Sequence, residues 1–250
     1  MVKDKTTLLK ICNCTISRGH KLLIKNISLS VTSGESMALL GPNGVGKTSF
    51  LRCIVGFEDP KNGKVITQGG VSFLPQNFNL LSELTVTEMI LLGKVRDLKW
   101  YEYPNYHDLK IAQNLLEQFG IAELASKPFS QLSGGQKQIV LIAQAIISGS
   151  NLLVLDEPSS SLDLRNQVKL FQIMEELREE RGISLIFSTH DPNLAYHHSS
   201  KVVMIGSKSH YYGNSKEVMD TLSLKKVYGV KFEKFISGND NKKYFINKDI

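Results

Sequence analysis

The segment Gly41 to Thr48, which reads GPNGVGKT, has the glycines, the lysine and the hydroxyl residue of a loop that binds phosphate groups. It follows a short apolar run and precedes a segment that is typical of a helix. In such a loop backbone N–H groups face the phosphates, the lysine neutralises the β- and γ-phosphates, and the threonine hydroxyl reaches Mg²⁺. The predicted phosphate-binding residues are Gly41, Pro42, Asn43, Gly44, Val45, Gly46, Lys47, Thr48 and Ser49.

Two adjacent carboxylates follow the apolar segment Asn151 to Leu155. Asp156, at the end of this predicted strand, can hold Mg²⁺ through water, and Glu157 can polarise the water that attacks a γ-phosphate. Two acidic residues after aliphatic ones are a weak indication alone, but beside a phosphate-binding loop they become a strong one. The sequence therefore predicts a nucleotide-hydrolysing site in which Glu157 is the general base.

His190 ends the run Ile186 to His190, a predicted strand that leads into a polar turn. Open α/β sheets bind ligands at the carboxyl ends of their strands, so His190 is a candidate contact for the γ-phosphate. The alternative is a surface histidine that only precedes Asp191 and Pro192.

A second glycine-containing segment, LSGGQ at Leu132 to Gln136, also has a shape suited to an anion. Ser133 and Gln136 have the spacing of a capping box, which predicts that a helix begins there with free N–H groups. One such helix end offers only a partial positive charge.

The hydrophobic pattern predicts the elements that position these residues. Strands are predicted at Leu8–Thr15, Ile24–Val31, Met37–Leu40, Val71–Leu74, Leu152–Leu155, Ser184–Ser188 and Val202–Ile205. A capping box at Thr85 to Glu88 and the helical spacing of Leu109 to Phe119 and of Val168 to Leu177 predict helices. Strands that alternate with helices indicate an α/β protein with a parallel sheet.

Length and composition place few limits on function. The chain has 250 residues and a net charge of +6, and its lysines are scattered, so we interpret the charge as a solvated surface. It contains no run of about 18 apolar residues, and MVKDKTTLLK at the start is not expected to be a signal peptide. Three cysteines are too few for a disulfide framework and fit a reduced compartment.

In chain order, these motifs resemble those of the ATP-binding subunits of ABC transporters. GPNGVGKT resembles their Walker A motif, LSGGQ their signature, and LLVLDE at Leu152 to Glu157 their Walker B motif. Gln76 resembles the Q-loop glutamine, Ser160 to Asp163 the D-loop, and His190 the switch histidine. The resemblance covers nearly the whole chain and implies ATP and Mg²⁺ as cofactors.

The family's architecture gives the expected fold: a P-loop ABC ATPase core with a parallel sheet, an N-terminal antiparallel β part and an inserted helical subdomain. The whole chain is expected to be one nucleotide-binding domain. Its expected parts are an ATPase core at 1–76 and 149–225, a helical subdomain at 77–148 and a C-terminal tail at 226–250.

The resemblance also implies residue roles. Glu157, His190 and Gln76 are implied to be catalytic, and the implied Mg²⁺ ligands are Thr48, Gln76 and Asp156. Two copies of the chain are implied to sandwich two ATP molecules, with the signature of each copy facing the Walker A motif of the other. The residues implied to contact the other copy's ATP are Ser133, Gly134, Gly135, Gln136 and Asp163.

The chain departs from the family pattern in two places. Arg18 and Gly19 stand where relatives usually carry an aromatic residue that stacks on adenine, and we expect the planar Arg18 guanidinium to take that role. Ile139 and Gln144 stand where two arginines usually follow the signature, so packing beneath the signature helix is expected to differ.

Two other classes of protein are less consistent with the sequence. P-loop kinases and GTPases have no role for LSGGQ, and soluble ABC-type ATPases that act on nucleic acid carry coiled-coil insertions or two cassettes. We therefore expect a peripheral subunit at the cytoplasmic face of the cell membrane. The expected partners are an integral membrane permease and, indirectly, a periplasmic or surface substrate-binding protein, with no nucleic acid.

The sequence constrains the transported substrate only through the resemblance of this chain to other importers. Leu92 to Lys94, the Trp100–Tyr106 loop, Ser161 to Gln167 and Val227 to Val230 resemble importers of siderophore iron, haem or cobalamin. The short span between Lys47 and Gln76 instead resembles importers of molybdate or of a divalent metal, which stays open as the alternative. Contact with the permease is expected at Asn77 to Leu84, and the aromatic Trp100–Tyr106 loop is a second candidate.

Overall fold

The computed structural model describes residues 6–19, 21–76, 83–160, 162–207, 209–238 and 242–249. Its strands are β1 Thr7–Arg18, β2 Lys21–Thr32, β3 Ser36–Leu40, β4 Asn62–Thr67, β5 Val71–Leu74, β6 Leu152–Leu155, β7 Ser184–Thr189, β8 Lys201–Ile205, β9 His210–Asn214, β10 Phe232–Ile236 and β11 Lys243–Asn247. Its α-helices are α1 Lys47–Ile54, α2 Val86–Leu91, α3 Tyr106–Gln118, α4 Gly134–Ile147, α5 Leu164–Arg181, α6 Pro192–His198, α7 Ser215–Val218 and α8 Thr221–Tyr228. Short 3₁₀ helices are Leu92–Asp97, Ala122–Leu124 and Phe129–Gln131.

The chain forms two compact units, one of residues 1–68 and 184–250 and one of residues 69–183. In the first unit β3 lies between β7 and β8 and is parallel to both, and β9 is antiparallel to β8. Every residue of β3 and β7 is buried, which is typical of parallel strands that are covered on both faces. The pairing of Leu40 with Thr189 places the ends of β3 and β7 side by side.

The first unit also contains the predicted antiparallel β part, a sheet in the order β2-β1-β4. Leu9, Ile11, Cys14 and Ile16 of β1 are buried, and β1 contains several register shifts. The pattern did not predict β4, because its residues are mostly exposed and polar. Together with the parallel strands and the helical region of the second unit, this sheet confirms the predicted fold class.

Near the end of the chain, a short helix is followed by a pair of strands. Helix α8 is capped at its start by Asp220, whose side chain accepts from the N–H of Ser223, and it ends at Gly229 in the left-handed conformation. Strands β10 and β11 then pair in antiparallel fashion, with Phe232 opposite Asn247. We call α8, β10 and β11 together the C-terminal clamp.

In the second unit β5 and β6 form a parallel pair, and α2, α3 and α4 pack against one another. The predicted capping box at Thr85 and Glu88 begins α2, and the predicted spacing of Leu109 to Phe119 is observed as α3. Gly93 lies against α4 so closely that a Cβ atom there would be 2.2 Å from the carbonyl oxygen of Gln144. Only glycine permits this contact, which gives a physical reason for the Leu92 to Lys94 motif.

The three cysteines are free thiols. Cys53 is buried in α1, and this burial raises the pKa of its thiol to about 11, so the group is protonated near neutral pH. Across the described ranges, the helices are too short or too polar for any of them to cross a membrane.

Candidate nucleotide site

The glycine-rich loop in the first unit connects β3 to α1, and two of its glycines pack closely against neighbouring residues. Gly46 has φ 115°, and a Cβ atom there would lie 2.6 Å from Leu23 Cδ1. A Cβ atom on Gly41 would lie 2.4 Å from the carbonyl oxygen of Ile205. The N–H of Gly41 donates to the carbonyl oxygen of Thr189 at 3.3 Å, which ties the loop to the end of β7.

Helix α1 begins in a manner suited to an anion. Gly46 supplies no side-chain cap to its first turn, and that turn contains no acidic residue. Lys47 is buried, and its Nζ donates to the carbonyl oxygens of Gly41 at 2.9 Å and of Pro42 at 3.3 Å. A helix N-terminus and a lysine folded along the loop match the chemistry of nucleotide phosphates.

His190 directly follows β7 in the same unit and is exposed. Its carbonyl oxygen accepts a hydrogen bond of 2.7 Å from the hydroxyl of Tyr228 in α8. Asp191 then caps α6, because its side chain accepts from the N–H of Asn193 at 2.7 Å. The structure thus brings the predicted histidine and the glycine-rich loop to one edge of the parallel strands.

In the second unit, Gln76 and the two predicted carboxylates follow the ends of neighbouring parallel strands. Leu74 pairs with Leu155, and the N–H of Asp156 donates to the carbonyl oxygen of Leu74 at 2.9 Å. Gln76 Nε2 donates to Glu157 Oε2 at 3.2 Å, so these two side chains are in direct contact. Asp156 is only 3% exposed, whereas Glu157 is half-buried.

Glu157 has a backbone conformation that is unusual for its residue type. Its φ of 44° lies in the left-handed region, which residues other than glycine rarely adopt and which costs about 1 to 3 kcal/mol. The Ser160 N–H and hydroxyl both donate to the Glu157 carbonyl oxygen, at 3.1 and 3.0 Å, and hold this turn. Such outliers cluster at functional sites, where the surrounding structure maintains them.

The LSGGQ segment forms the predicted capping box at the start of α4. The N–H of Gln136 donates to Ser133 Oγ at 3.3 Å, and the N–H of Ser133 donates to Gln136 Oε1 at 3.0 Å. Gly134 has open space around its missing side chain, whereas a Cβ atom on Gly135 would lie 2.8 Å from Asn166. A side chain at Gly135 would therefore displace the side chain of Asn166.

Asn166, which contacts Gly135 of the LSGGQ segment, also contacts Asp163. Asp163 caps α5 by accepting from the N–H of Asn166 at 2.8 Å, and the Asn166 side chain donates back to it at 3.2 Å. A groove of about 830 Å³ contains both Gln136 and Asp163. The other residues that line the groove are Gly120, Ile121, Glu123, Ile139, Arg165, Asn166, Val168, Lys169 and Gln172.

Sequence reasoning missed three residues that support the site. Asn166 packs on Gly135, and Gln167 Nε2 donates to the carbonyl oxygens of Ser159 and Leu162, which fixes the preceding loop. Tyr228 holds the His190 carbonyl oxygen. The stretches that contain them resemble relatives, but nothing in their local spacing indicates these contacts.

Three of the predicted functional regions are described only in part. The Arg18 side chain and most of Asn77 to Leu84, namely residues 77–82, lie outside the described residues. The same is true of Ser161 in the D-loop segment. The described residues contain no cluster of three or more His, Cys, Asp or Glu side chains suited to a metal ion.

A model of the ABC transporter family matches residues 24–160. The chain belongs to the ABC transporter family. This ABC transporter chain is 34% identical to an uncharacterized ABC transporter ATP-binding protein of Haemophilus influenzae, over 90% of the chain and 91% of that protein. It is 30% identical to the molybdate import ATP-binding protein MolC of the same organism, over 83% of the chain and 82% of MolC.

A further relative is an iron chelatin transport ATP-binding protein of Helicobacter pylori, which is 30% identical over 90% of the chain and 94% of that protein. Two of the similar solved structures are each 26% identical to this chain. One is a metal-chelate type ABC transporter in an inward-facing conformation, with a TM-score of 0.91 over 97% of both chains. The other is a dimeric ATP-binding cassette bound to ADP and Pi, with a TM-score of 0.69 over 82% of this chain and 98% of the other.

The ABC transporter family membership identifies the chain as the ATP-binding subunit of a transporter and as an ATP hydrolase of the ABC type. The family binds ATP with Mg²⁺. The glycine-rich loop, the uncapped start of α1 and the folded lysine fit that nucleotide.

Proposed function

We propose that this subunit hydrolyses ATP to drive import of a metal chelate, such as siderophore iron, haem or cobalamin, through a separate membrane permease. The observation that carries the proposal is the TM-score of 0.91 with a metal-chelate type ABC transporter over almost the full length of both chains. The relative named for iron chelatin transport gives independent support.

Within one copy, Lys47 and the N–H groups of the glycine-rich loop hold the β- and γ-phosphates. Thr48, Gln76 and Asp156 are the proposed ligands of Mg²⁺, which neutralises charge on those phosphates when bound. Glu157 takes a proton from the attacking water, and Gln76, which donates to Glu157, fixes the direction of its carboxylate. His190 contacts the γ-phosphate.

The partner for the signature segment is a second copy of the chain. Ser133, Gly134, Gly135, Gln136 and Asp163 would contact ATP bound by the other copy. The groove that contains Gln136 and Asp163 supports this role, because helix α4 begins there with its N–H groups at the surface. The similar dimeric cassette with ADP and Pi also supports it.

The helical subdomain at 77–148 is proposed to meet the permease and to move with ATP binding, while 1–76 and 149–225 act as the ATPase core. Trp100, Tyr103 and Tyr106 are 96%, 86% and 82% exposed, which fits a surface that a partner covers. Attachment to a permease would place the subunit at the cytoplasmic face of the membrane. A substrate-binding protein would act through that permease.

The motifs that suggested a metal-chelate cargo make packing and hydrogen-bond contacts within the subunit itself. Gly93 permits close packing on α4, and Asn166 and Gln167 fix the loop before α5. They indicate kinship and do not contact the transported substrate. Molybdate therefore stays as a second candidate, favoured by the 30% identity with MolC and by the short span between Lys47 and Gln76.

Uptake by a strain that lacks this subunit tests the proposed cargo. We expect loss of uptake for one of labelled ferric siderophore, haem or cobalamin, with normal uptake of molybdate, zinc and manganese. Restoration by the wild-type chain but not by Glu157→Gln shows that ATP hydrolysis is needed. Normal uptake of all three chelates, with loss of molybdate or of a bare divalent metal, would overturn the cargo and leave the ATPase assignment standing.

Stacking of Arg18 on adenine gives a separate prediction. We expect Arg18→Tyr to bind ATP at least as tightly as the wild type, because an aromatic ring provides the same planar contact. Arg18→Ala removes the plane and is expected to weaken binding. The measurement is the Kd for ATP by calorimetry, with Lys21→Ala as a nearby control. If neither Arg18 variant changes the Kd, adenine lies elsewhere.

A further inference from the structure

The C-terminal clamp is firmly seated in the first unit. Val227 of α8 is buried, and a Cβ atom on Gly206 would lie 2.9 Å from the Val227 Cα atom. This contact fixes the last turn of α8 to Gly206, which directly follows β8. A cavity of about 300 Å³ is lined both by Lys226 to Gly229 and by Pro42 to Val45 of the glycine-rich loop. The clamp therefore borders the phosphate-binding loop.

Tyr228 connects the clamp to the switch histidine. It is the last residue of α8, and its ring packs edge-on against Phe232 with ring centres 5.6 Å apart. The left-handed Gly229, with φ 78°, turns the chain between those two rings. With the ring held in this way, the Tyr228 hydroxyl donates to the carbonyl oxygen of His190 at 2.7 Å.

A second connection lies one helical turn further along. The N–H of Phe245 in β11 donates to Asn193 Oδ1 at 2.7 Å, and Asn193 Nδ2 donates to the Phe245 carbonyl oxygen at 3.1 Å. The buried Phe245 ring also packs edge-on against Tyr196 at 5.4 Å. The segment from His190 to Tyr196 is thus held at two points by residues that follow it by 38 and 52 positions.

We propose that Tyr228 is a positioning residue for ATP hydrolysis. Its hydroxyl fixes the peptide group of His190, and the clamp thereby sets where the His190 side chain lies relative to the glycine-rich loop. The glycine-rich loop and the histidine segment are adjacent in the same unit, because the N–H of Gly41 donates to the carbonyl oxygen of Thr189, the residue before His190. The proposal rests on the proposed role of His190 at the γ-phosphate.

The size of the effect follows from one lost hydrogen bond. One hydrogen bond contributes only a modest free energy to holding His190 in place. Its loss is therefore expected to lower kcat by about 3- to 10-fold. Binding of ATP depends on Lys47 and the loop, so KM should change by less than about twofold. A residue with a purely structural role would change the melting temperature without this separation of kcat from KM.

Tyr228→Phe tests the inference, because it removes the hydroxyl and keeps the ring against Phe232. Tyr244→Phe is the matched control, since Tyr244 lies in β11 of the same clamp and its ring contacts His197. We expect Tyr228→Phe to show the lower kcat with an unchanged melting temperature, and Tyr244→Phe to match the wild type. In a His190→Ala background, Tyr228→Phe should have no further effect.

The inference would be overturned by a wild-type kcat for Tyr228→Phe, by an equal loss in Tyr244→Phe, or by a full further loss in the His190→Ala background. Hydrolysis by His190→Ala itself separates the two proposals. If it falls while Tyr228→Phe is normal, the role of His190 stands and only the positioning role of Tyr228 fails. A wild-type rate for His190→Ala would remove the role of His190, and the inference with it.

Discussion

Glu157→Gln is expected to lower the rate of ATP hydrolysis by about 10²- to 10⁴-fold while ATP binding persists. Glutamine keeps the size of the side chain and can still accept the hydrogen bond that Gln76 Nε2 donates. It cannot take a proton from the attacking water. The left-handed backbone at position 157 has a similar conformational cost for glutamate and for glutamine, so the substitution should leave the fold unaffected.

Phosphate release under saturating ATP measures this effect, and nucleotide binding is measured separately by calorimetry. Glu180→Gln is the matched control, because it makes the same chemical change at an exposed position of α5. We expect the control to hydrolyse ATP at the wild-type rate. If Glu157→Gln hydrolyses at a near wild-type rate, Glu157 is not the general base.

Ser133→Arg is expected to lower the rate of ATP hydrolysis by about 10²-fold or more, while ATP binding by the single copy stays almost intact. Arginine at this position puts a long side chain where the other copy's phosphates would lie. The variant also loses the capping bond to the N–H of Gln136, which is worth about 0.5 to 2 kcal/mol of stability. A control must therefore separate the two effects.

Asn105→Arg supplies that control, because Asn105 and Asp108 form a capping box of the same kind at the start of α3. The two variants should lose similar stability in thermal unfolding, yet only Ser133→Arg should lose hydrolysis. Equal activity in the two variants would show that Ser133 does not contact the other copy's ATP.

Local signals in the sequence predicted the parts of the site that depend on local geometry. The capping boxes at Thr85 and Ser133 are observed because each needs only residues three positions apart. Strands β5 and β6 have the predicted bounds, since turn signals in the sequence flank both segments. The positions of Gln76 and Asp156 then follow from the pairing of these strands.

Contacts between distant residues could not be predicted in this way. The bond from Tyr228 to His190 and the pair formed by Asn193 and Phe245 join segments that are far apart in sequence. The side-chain contact of Asn166 with Gly135 depends on the packing of α4 on α5. The left-handed conformation of Glu157 has no sequence signature, because glutamate rarely adopts it.

If two copies of this chain sandwich ATP as proposed, the mass of Glu157→Gln in solution should double when MgATP is bound. Sedimentation with MgATP should give twice the 27.9 kDa of one chain, and sedimentation without nucleotide should give the single chain. Adding Ser133→Arg to Glu157→Gln should return the mass to that of one chain. A single-chain mass for Glu157→Gln with ATP demonstrably bound would show that two copies do not sandwich the nucleotide.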